Sequence, residues 1–307
     1  MDRKTNRTMR RKLIIGLLLL PLWMHAQHVF EAGLHGGVAR WNAERTYVDA
    51  LTGFNAGGQL YYSYLSPYVI GLRTGVTLDC HKAGFGKLNY EDHYSTTDAE
   101  NEQMDIAYSV GRLSEHYTTW SVGVPLQLAL TYQPFTLFAG AKAVFPMSST
   151  WQELVEHAAL SVYYPDYDNR VEESYPLAAS RDFAMSNTGQ LQQPNVQWWL
   201  AIELNYALPL KRLTRALSSY LMIGVYFDYS LTPVKPAHSD AESLIMLTDT
   251  RDGLPLQRVL TPLMSANRQG QTLISQCSLW DAGIKLSYAI SPNTPQKHKS
   301  HPCMCLH

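Results

Sequence analysis

Residues able to do chemistry fall into two groups whose settings differ. The first is Asp79, His81, His93, Ser114, His116, His157 and Asp166. A serine hydroxyl beside an imidazole is a nucleophile with its base, and a carboxylate that orients the ring completes such a set. Ser114 and His116 are only two residues apart, however, and no nucleophile elbow surrounds Ser114. The second group is Glu31, His35, Arg73, Asp79, Lys142, Glu203, Asp228, Asp281 and Lys285, which recurs at one phase of an alternating pattern. Ions of both signs on one face suit burial together, because Arg73, Lys142 and Lys285 can each neutralise carboxylates that would be costly to bury alone. The terminal His301, Cys303, Cys305 and His307 lack the separated ligand pairs of a structural zinc site. Asp166 and Asp168 are surface carboxylates that by themselves hold no Ca²⁺ specifically. These patterns predict no catalytic set, no metal and no cofactor.

The elements that must position these groups read as β-strands. Trp120, Val122, Val124, Leu126, Leu128, Leu130 and Tyr132 share one face of a run, while Ser121, Gly123, Pro125, Gln127, Ala129 and Thr131 share the other. The same division recurs in seven further runs, starting near Phe30, Phe54, Ile70, Leu137, Trp198, Leu221 and Trp280. Each run approaches the roughly 9–11 residues of a tilted membrane strand. The connections alternate in length. Leu65-Ser66-Pro67 and Gln133-Pro134 are tight turns, about ten residues around Lys211, Arg212 and Arg215 join the sixth and seventh runs, and the stretches near 40–52, 80–116, 147–195 and 232–276 are long. An even strand count with short turns at one end and long loops at the other predicts an all-β fold, a transmembrane antiparallel up-and-down β-barrel of eight strands. A hairpin around Ile106 to Leu113 would raise the number to ten.

Residue type decides which face meets lipid. The non-apolar face is rich in Gly and Ala and poor in the long charged residues a solvated surface carries, which fits the crowded interior of an eight-stranded barrel. Trp120, Tyr132, Trp198, Tyr206, Tyr229, Trp280 and Tyr288 stand near run ends on the apolar face, as membrane-interface aromatics do. The alternative is a soluble lipocalin-like barrel with the apolar face inside, around a ligand.

Export is predicted from the N-terminus. Lys4, Arg7, Arg10, Arg11 and Lys12 precede an apolar stretch from Leu13 to Trp23, and Met24-His25-Ala26 precedes Gln27. About 11 apolar residues are too few to span a membrane as a helix, so residues 1–26 read as a cleaved signal peptide. Residues 27–291 read as the barrel and 292–307 as a flexible periplasmic tail. A net charge of −1 excludes bulk electrostatic attraction to nucleic acid. Cys80 and Cys277 follow no spacing rule that would pair them.

Several motifs carry a family resemblance. The signal ending at His25-Ala26-Gln27, the Gly-rich first strand, Gly53-Phe54-Asn55-Ala56-Gly57, Gly71-Leu72-Arg73-Thr74-Gly75 and Val124-Pro125-Leu126 resemble the PorT-like outer-membrane β-barrel family across the mature chain. The resemblance implies a barrel in a bacterial outer membrane and leaves the role open, since the family holds proteins of diverse function. The last run, Asp281 to Tyr288, looks like the strand that barrel-assembly machinery reads, although the chain continues seventeen residues past Ile290. The expected partners are outer-membrane lipid, that machinery during biogenesis, and a protein at the Tyr-rich loops, such as Tyr163-Tyr164-Pro165-Asp166-Tyr167. The expected function is a plugged barrel acting through its extracellular loops as a structural, binding or assembly component. The alternative is an outer-membrane enzyme acting on lipid A or peptides at the rim.

Overall fold

The computed structural model describes residues 27–43, 47–65, 70–97, 102–132, 134–165, 169–170, 180–210, 217–234, 243–250, 254–268 and 271–292. The proposed signal peptide, residues 293–307, Asp166, Asp168 and the basic residues of 211–216 lie outside that set. The chain runs through β1 (Gln27–Ala43), β2 (Asp49–Leu65), β3 (Ile70–Thr97), β4 (Gln103–Tyr132), β5 (Phe135–Tyr164), β6 (Asn169–Arg170), β7 (Ser180–Gln190), β8 (Gln197–Pro209), β9 (Leu217–Ser230), β10 (Ile245–Thr250), β11 (Leu254–Leu260), β12 (Asn267–Arg268), β13 (Gln271–Thr272) and β14 (Cys277–Pro292).

Eight of these close into an antiparallel ring in the order β1, β2, β3, β4, β5, β8, β9 and β14, with β14 returning to β1. Closure leaves no unpaired strand edge in the ring, the condition for crossing a membrane with strands. At the seam Gly37 pairs with Gly283, and a side chain on either would run into the facing backbone.

The alternating residues take the sides that make this a transmembrane barrel. Leu34, Leu60, Leu72, Leu126, Leu128, Leu204, Val225, Ile284 and Leu286 are exposed on the outside. Arg73, Asp79, Lys142, Asp281 and Lys285 are buried inside. The soluble alternative requires the opposite arrangement and is excluded. Tyr61, Phe138, Trp199 and Ala201 fill the interior between the ions, so the lumen is packed and not open.

The structure departs from the sequence reading above the barrel. The stretches 80–116 and 147–195, expected as loops, are largely strand: β3, β4 and β5 run on for 28, 30 and 30 residues, and β7 pairs back onto β5. Ile106 to Leu113, the candidate extra hairpin, lies within β4, so the ring stays at eight.

One local device hid this extension. The inward face changes phase between Phe85 and Tyr90, between Val110 and Leu113, and between Val155 and Ala158. The three shifts fall at one level of the sheet, where Asn89, Gly111 and His157 lie side by side. Asn89 and His157 adopt left-handed backbone, with φ of 52° and 55°. Such bends break the period-two pattern while the ladder continues beyond them.

The inner face of the extension carries a core. Phe85, Tyr90, Ile106, Tyr108, Leu113 and Val155 pack with Leu244, Ile245, Leu260, Leu263, Met264, Leu273 and Ile274. The second set belongs to the segment between β9 and β14, expected as a loop. It forms two small hairpins, β10 with β11 and β12 with β13, laid against the extended sheet as a cap.

Candidate functional site

Two polar assemblies stand on this frame, one in the lumen and one where the cap docks. Strand alternation aims Glu31 and His35 of β1, Arg73 and Asp79 of β3, Lys142 of β5, Glu203 of β8, Asp228 of β9, and Asp281 and Lys285 of β14 at the barrel axis. They meet in two clusters and one dyad.

In the cluster nearer the short turns, Lys285 Nζ lies 2.9 Å from Glu31 Oε1 and 2.5 Å from Glu203 Oε2. Arg73 pairs with Glu203, approaches Glu31 at 3.8 Å, and donates to Gln127 Oε1 from Nε and Nη2 at 2.9 and 2.7 Å. Its guanidinium is sandwiched between the Tyr61 and Phe138 rings, 4.3 and 3.7 Å from their centroids, a cation–π setting that favours Arg over Lys. Ser287 Oγ donates to Glu31 Oε1 at 2.7 Å.

In the second cluster Lys142 Nζ bridges Asp79 and Asp228 at 2.9 and 3.0 Å. His35 Nε2 lies 2.9 Å from Asp79 Oδ1, and Thr77 Oγ1 donates to Asp79 Oδ2 at 2.7 Å. The dyad is His81 Nε2 with Asp281 Oδ2 at 2.8 Å, His81 packing on Trp199.

Among the described residues five lumen carboxylates thus face three permanent cations, and each of the two histidines contacts a carboxylate. This arrangement can do two things: fix the strands in register through buried charge, and close the axis to ions. A cavity of about 10 Å³ beside His81, lined also by Trp41, Ser121 and Gln197, has room for one water.

The cap is held by polar contacts around its apolar core. Asp92 Oδ2 accepts from Ser243 Oγ at 2.9 Å, and from the Tyr90 and Tyr108 hydroxyls at 3.3 Å each. The amides of Leu244, Leu247 and Leu263 donate to Tyr108 OH, Tyr94 OH and Glu115 Oε2 at 3.2, 2.9 and 2.8 Å. Asn187 Nδ2 donates to the Leu260 carbonyl at 2.9 Å, and Arg268 lies over the rings of Tyr47 and Tyr90. Tyr94 and Tyr108 thus spend their hydroxyls on backbone amides of the cap, satisfying groups that burial would otherwise orphan.

The nucleophile and base candidates are dispersed. His81 is inside the lumen, not at the rim. His93 is exposed on β3, His116 lies on the outer face of β4 against Gly84, and His157 pairs with Asp182 in solvent at 2.8 Å. Among the described residues no hydrogen bond joins Ser114 to His116, and no three His, Cys, Asp or Glu residues gather as metal ligands. Cys80 and Cys277 are free, Cys80 on the outer face of the ring and Cys277 buried against Val234.

The aromatics sort by height. Trp120, Trp198, Tyr229 and Trp280 lie at the end toward the extension, and Tyr132, Tyr206 and Tyr288 at the end of the short turns, as the register shows. At about 3.3 Å per residue and roughly 40° of tilt, Trp198 to Tyr206 spans about 20 Å of height and Trp120 to Tyr132 about 30 Å. These bracket the ~25 Å apolar band of outer-membrane barrels.

Sequence reasoning overlooked His81 as a lumen group, and the buried pair Glu115 and Glu153 entirely. The phase of β3 through Asp79 already put His81 inside. Nothing in one-dimensional alternation marked the pair, because both carboxyls fell in stretches expected as loops.

No family model matches the chain, and no curated protein matches it. Among solved structures, it is similar to Neisserial surface protein A (10% identity, TM-score 0.27, covering 88% of this chain and 99% of that one). It is also similar to Ail, the attachment invasion locus protein of Yersinia pestis (9% identity, TM-score 0.24, 86% and 99%). A third is the translocator domain of the autotransporter NalP from Neisseria meningitidis (6%, TM-score 0.21, 94% and 98%). At such scores the likeness carries no argument; the barrel rests on its own closed ring.

Proposed function

We propose that the chain is an outer-membrane barrel with a plugged lumen that acts as a structural, binding or assembly component through its extension and cap. The observation that carries this reading is the single apolar core running from Trp41 and Trp199 at the lumen mouth into Leu263 and Ile274 of the cap. A barrel closed by charge inside and built up on one end offers its elaborated surface to partners, not its axis. Outer-membrane lipid is the solvent of the exposed apolar band, the seven aromatics flank it, and assembly machinery inserts the strands during biogenesis. Export by a signal peptide cleaved after Ala26 and membership of the PorT-like family belong to the same proposal, and rest on the sequence motifs. No catalytic residue is assigned.

Protease treatment of intact cells, combined with gel mobility of heated and unheated protein, tests the placement. The expected result is a heat-modifiable band from the membrane fraction, and cleavage confined to the 147–195 and 232–276 regions. A soluble protein, or cleavage only after the outer membrane is breached, would overturn it.

A further inference from the structure

Among the described residues, two fully buried carboxyl groups outside the lumen network have no cation beside them. Glu115 on β4 and Glu153 on β5 stand directly opposite each other in the ladder, both facing into the extension, and both are 0% exposed. Glu115 Oε2 accepts the Leu263 amide at 2.8 Å. Its Oε1 and both oxygens of Glu153 have no hydrogen-bond partner. In the lumen, by contrast, every carboxylate meets a cation or an imidazole.

Among the described residues no cation pairs with either carboxyl. Strand β3 sets Phe85 beside Glu115, and its Lys87 reaches outward to Asp49 at 3.8 Å. On β4 the neighbours facing inward are Leu113 and the buried phenol Tyr117, while Arg112 pairs with Glu156 of β5 on the outside. Strand β7 places Asn187 opposite Glu153, and its Asp182 is exposed with His157. The docked turn, residues 261–266, has no ionisable side chain, and Arg258 before it lies over Phe183 at 4.2 Å.

Two adjacent carboxyls walled off from water cannot both be ionised, because desolvation and mutual repulsion each favour the protonated form. Burial pushes Glu115 up to about 8 against the pull of the Leu263 amide. Burial and then repulsion from Glu115 push Glu153 well above the usual carboxylate range. A divalent cation suits the site less: it asks for six or more oxygens, and here an N–H points at one carboxyl and most neighbouring side chains, such as Phe85, Leu113 and Val155, are apolar.

We propose that Glu115 and Glu153 form a proton-dependent latch on the cap: with the pair protonated, the 261–266 turn stays docked on the extended sheet, and when both carboxyls ionise the turn is released. The released state exposes Leu263 and Met264, which are buried in the docked one. In the open state water reaches both groups and they titrate near the ordinary 4.5; in the docked state Glu115 keeps its proton up to about 8. The docked form therefore binds more protons between these values. Its extra stability is complete below about pH 4.5 and is lost as the pH rises through the docked-state value. With two linked protons the ratio of docked to open falls by at most about 100-fold per pH unit.

Hydrogen–deuterium exchange of the full chain in detergent micelles tests this, followed from about pH 5 to 9 on the peptide covering 261–266 and corrected for intrinsic exchange. Opening of that peptide is expected to rise at least about 10-fold between pH 6 and 9 in the wild type. It should stay flat in the Glu115→Gln, Glu153→Gln double variant, which keeps the shape without the titration. Glu153→Gln alone, which leaves the Leu263 hydrogen bond in place, should show about half the steepness, and protection of 122–130 reports that each variant is folded. A flat wild-type profile, or an unchanged slope in the double variant, overturns the latch. So does protection of the turn by added calcium at pH 8 in the wild type but not in the double variant, which would make the pair a cation site.

Discussion

Lys285 illustrates how unevenly charge matters in this chain. Its ammonium touches Glu31 and Glu203 with its side chain 1% exposed, so removing it strands two carboxylates away from water. Lys285→Met is expected to destabilise the barrel by about 3–5 kcal/mol, the range for breaking a buried pair from one side. Arg112 also faces a carboxylate, Glu156 at 3.8 Å, but its side chain is 65% exposed. Arg112→Ala should change stability by less than about 1 kcal/mol. Urea unfolding in micelles, followed by tryptophan fluorescence, compares the two. Equal shifts would mean the lumen network contributes no more than a surface pair. Alternation alone told which ions faced inward, but not which met which. Arg73 reaches Gln127 across 54 residues of sequence, and His81 reaches Asp281 across 200, and only the closed ring fixes those pairings.

At the scale of elements, the extension is a small α-free domain built by prolonging barrel strands. The sheet supplies one apolar face and the cap the other, so neither is stable against water without its partner. Ile245 is 0% exposed at their contact. Ile245→Asp buries an unpaired carboxylate there and should undock the cap. Limited trypsin digestion is expected to cut the extension within the first minutes while the barrel remains heat-modifiable. A digestion pattern like the wild type would show that the cap does not depend on this core. The sequence showed the membrane halves of β3, β4 and β5 but not their outer halves. In the membrane halves one face meets lipid and one meets the lumen, so a single phase persists, as from Val122 to Leu130. At Asn89, Gly111 and His157 the phase slips, and a reading that expects strict alternation ends there.

At the scale of the molecule, eight strands with Tyr61, Arg73, Phe138 and Lys285 buried across the axis fill the interior with side chains. The purified protein in planar bilayers is expected to give no stable conductance steps; reproducible single-channel currents would require a mobile plug. The sequence by itself determined that the chain forms antiparallel strands with one apolar and one polar face, and it favoured eight of them with the apolar face toward lipid. These follow from a period of two and from residue type, both of which are local. Only the tertiary structure decided that His81 pairs with Asp281, that stretches resembling loops are a capped sheet, and that Glu115 and Glu153 are buried side by side. Those features depend on strands far apart in sequence coming into register and on a segment folding back over them, and burial of this kind is set by the assembled fold, not by neighbouring residues along the chain.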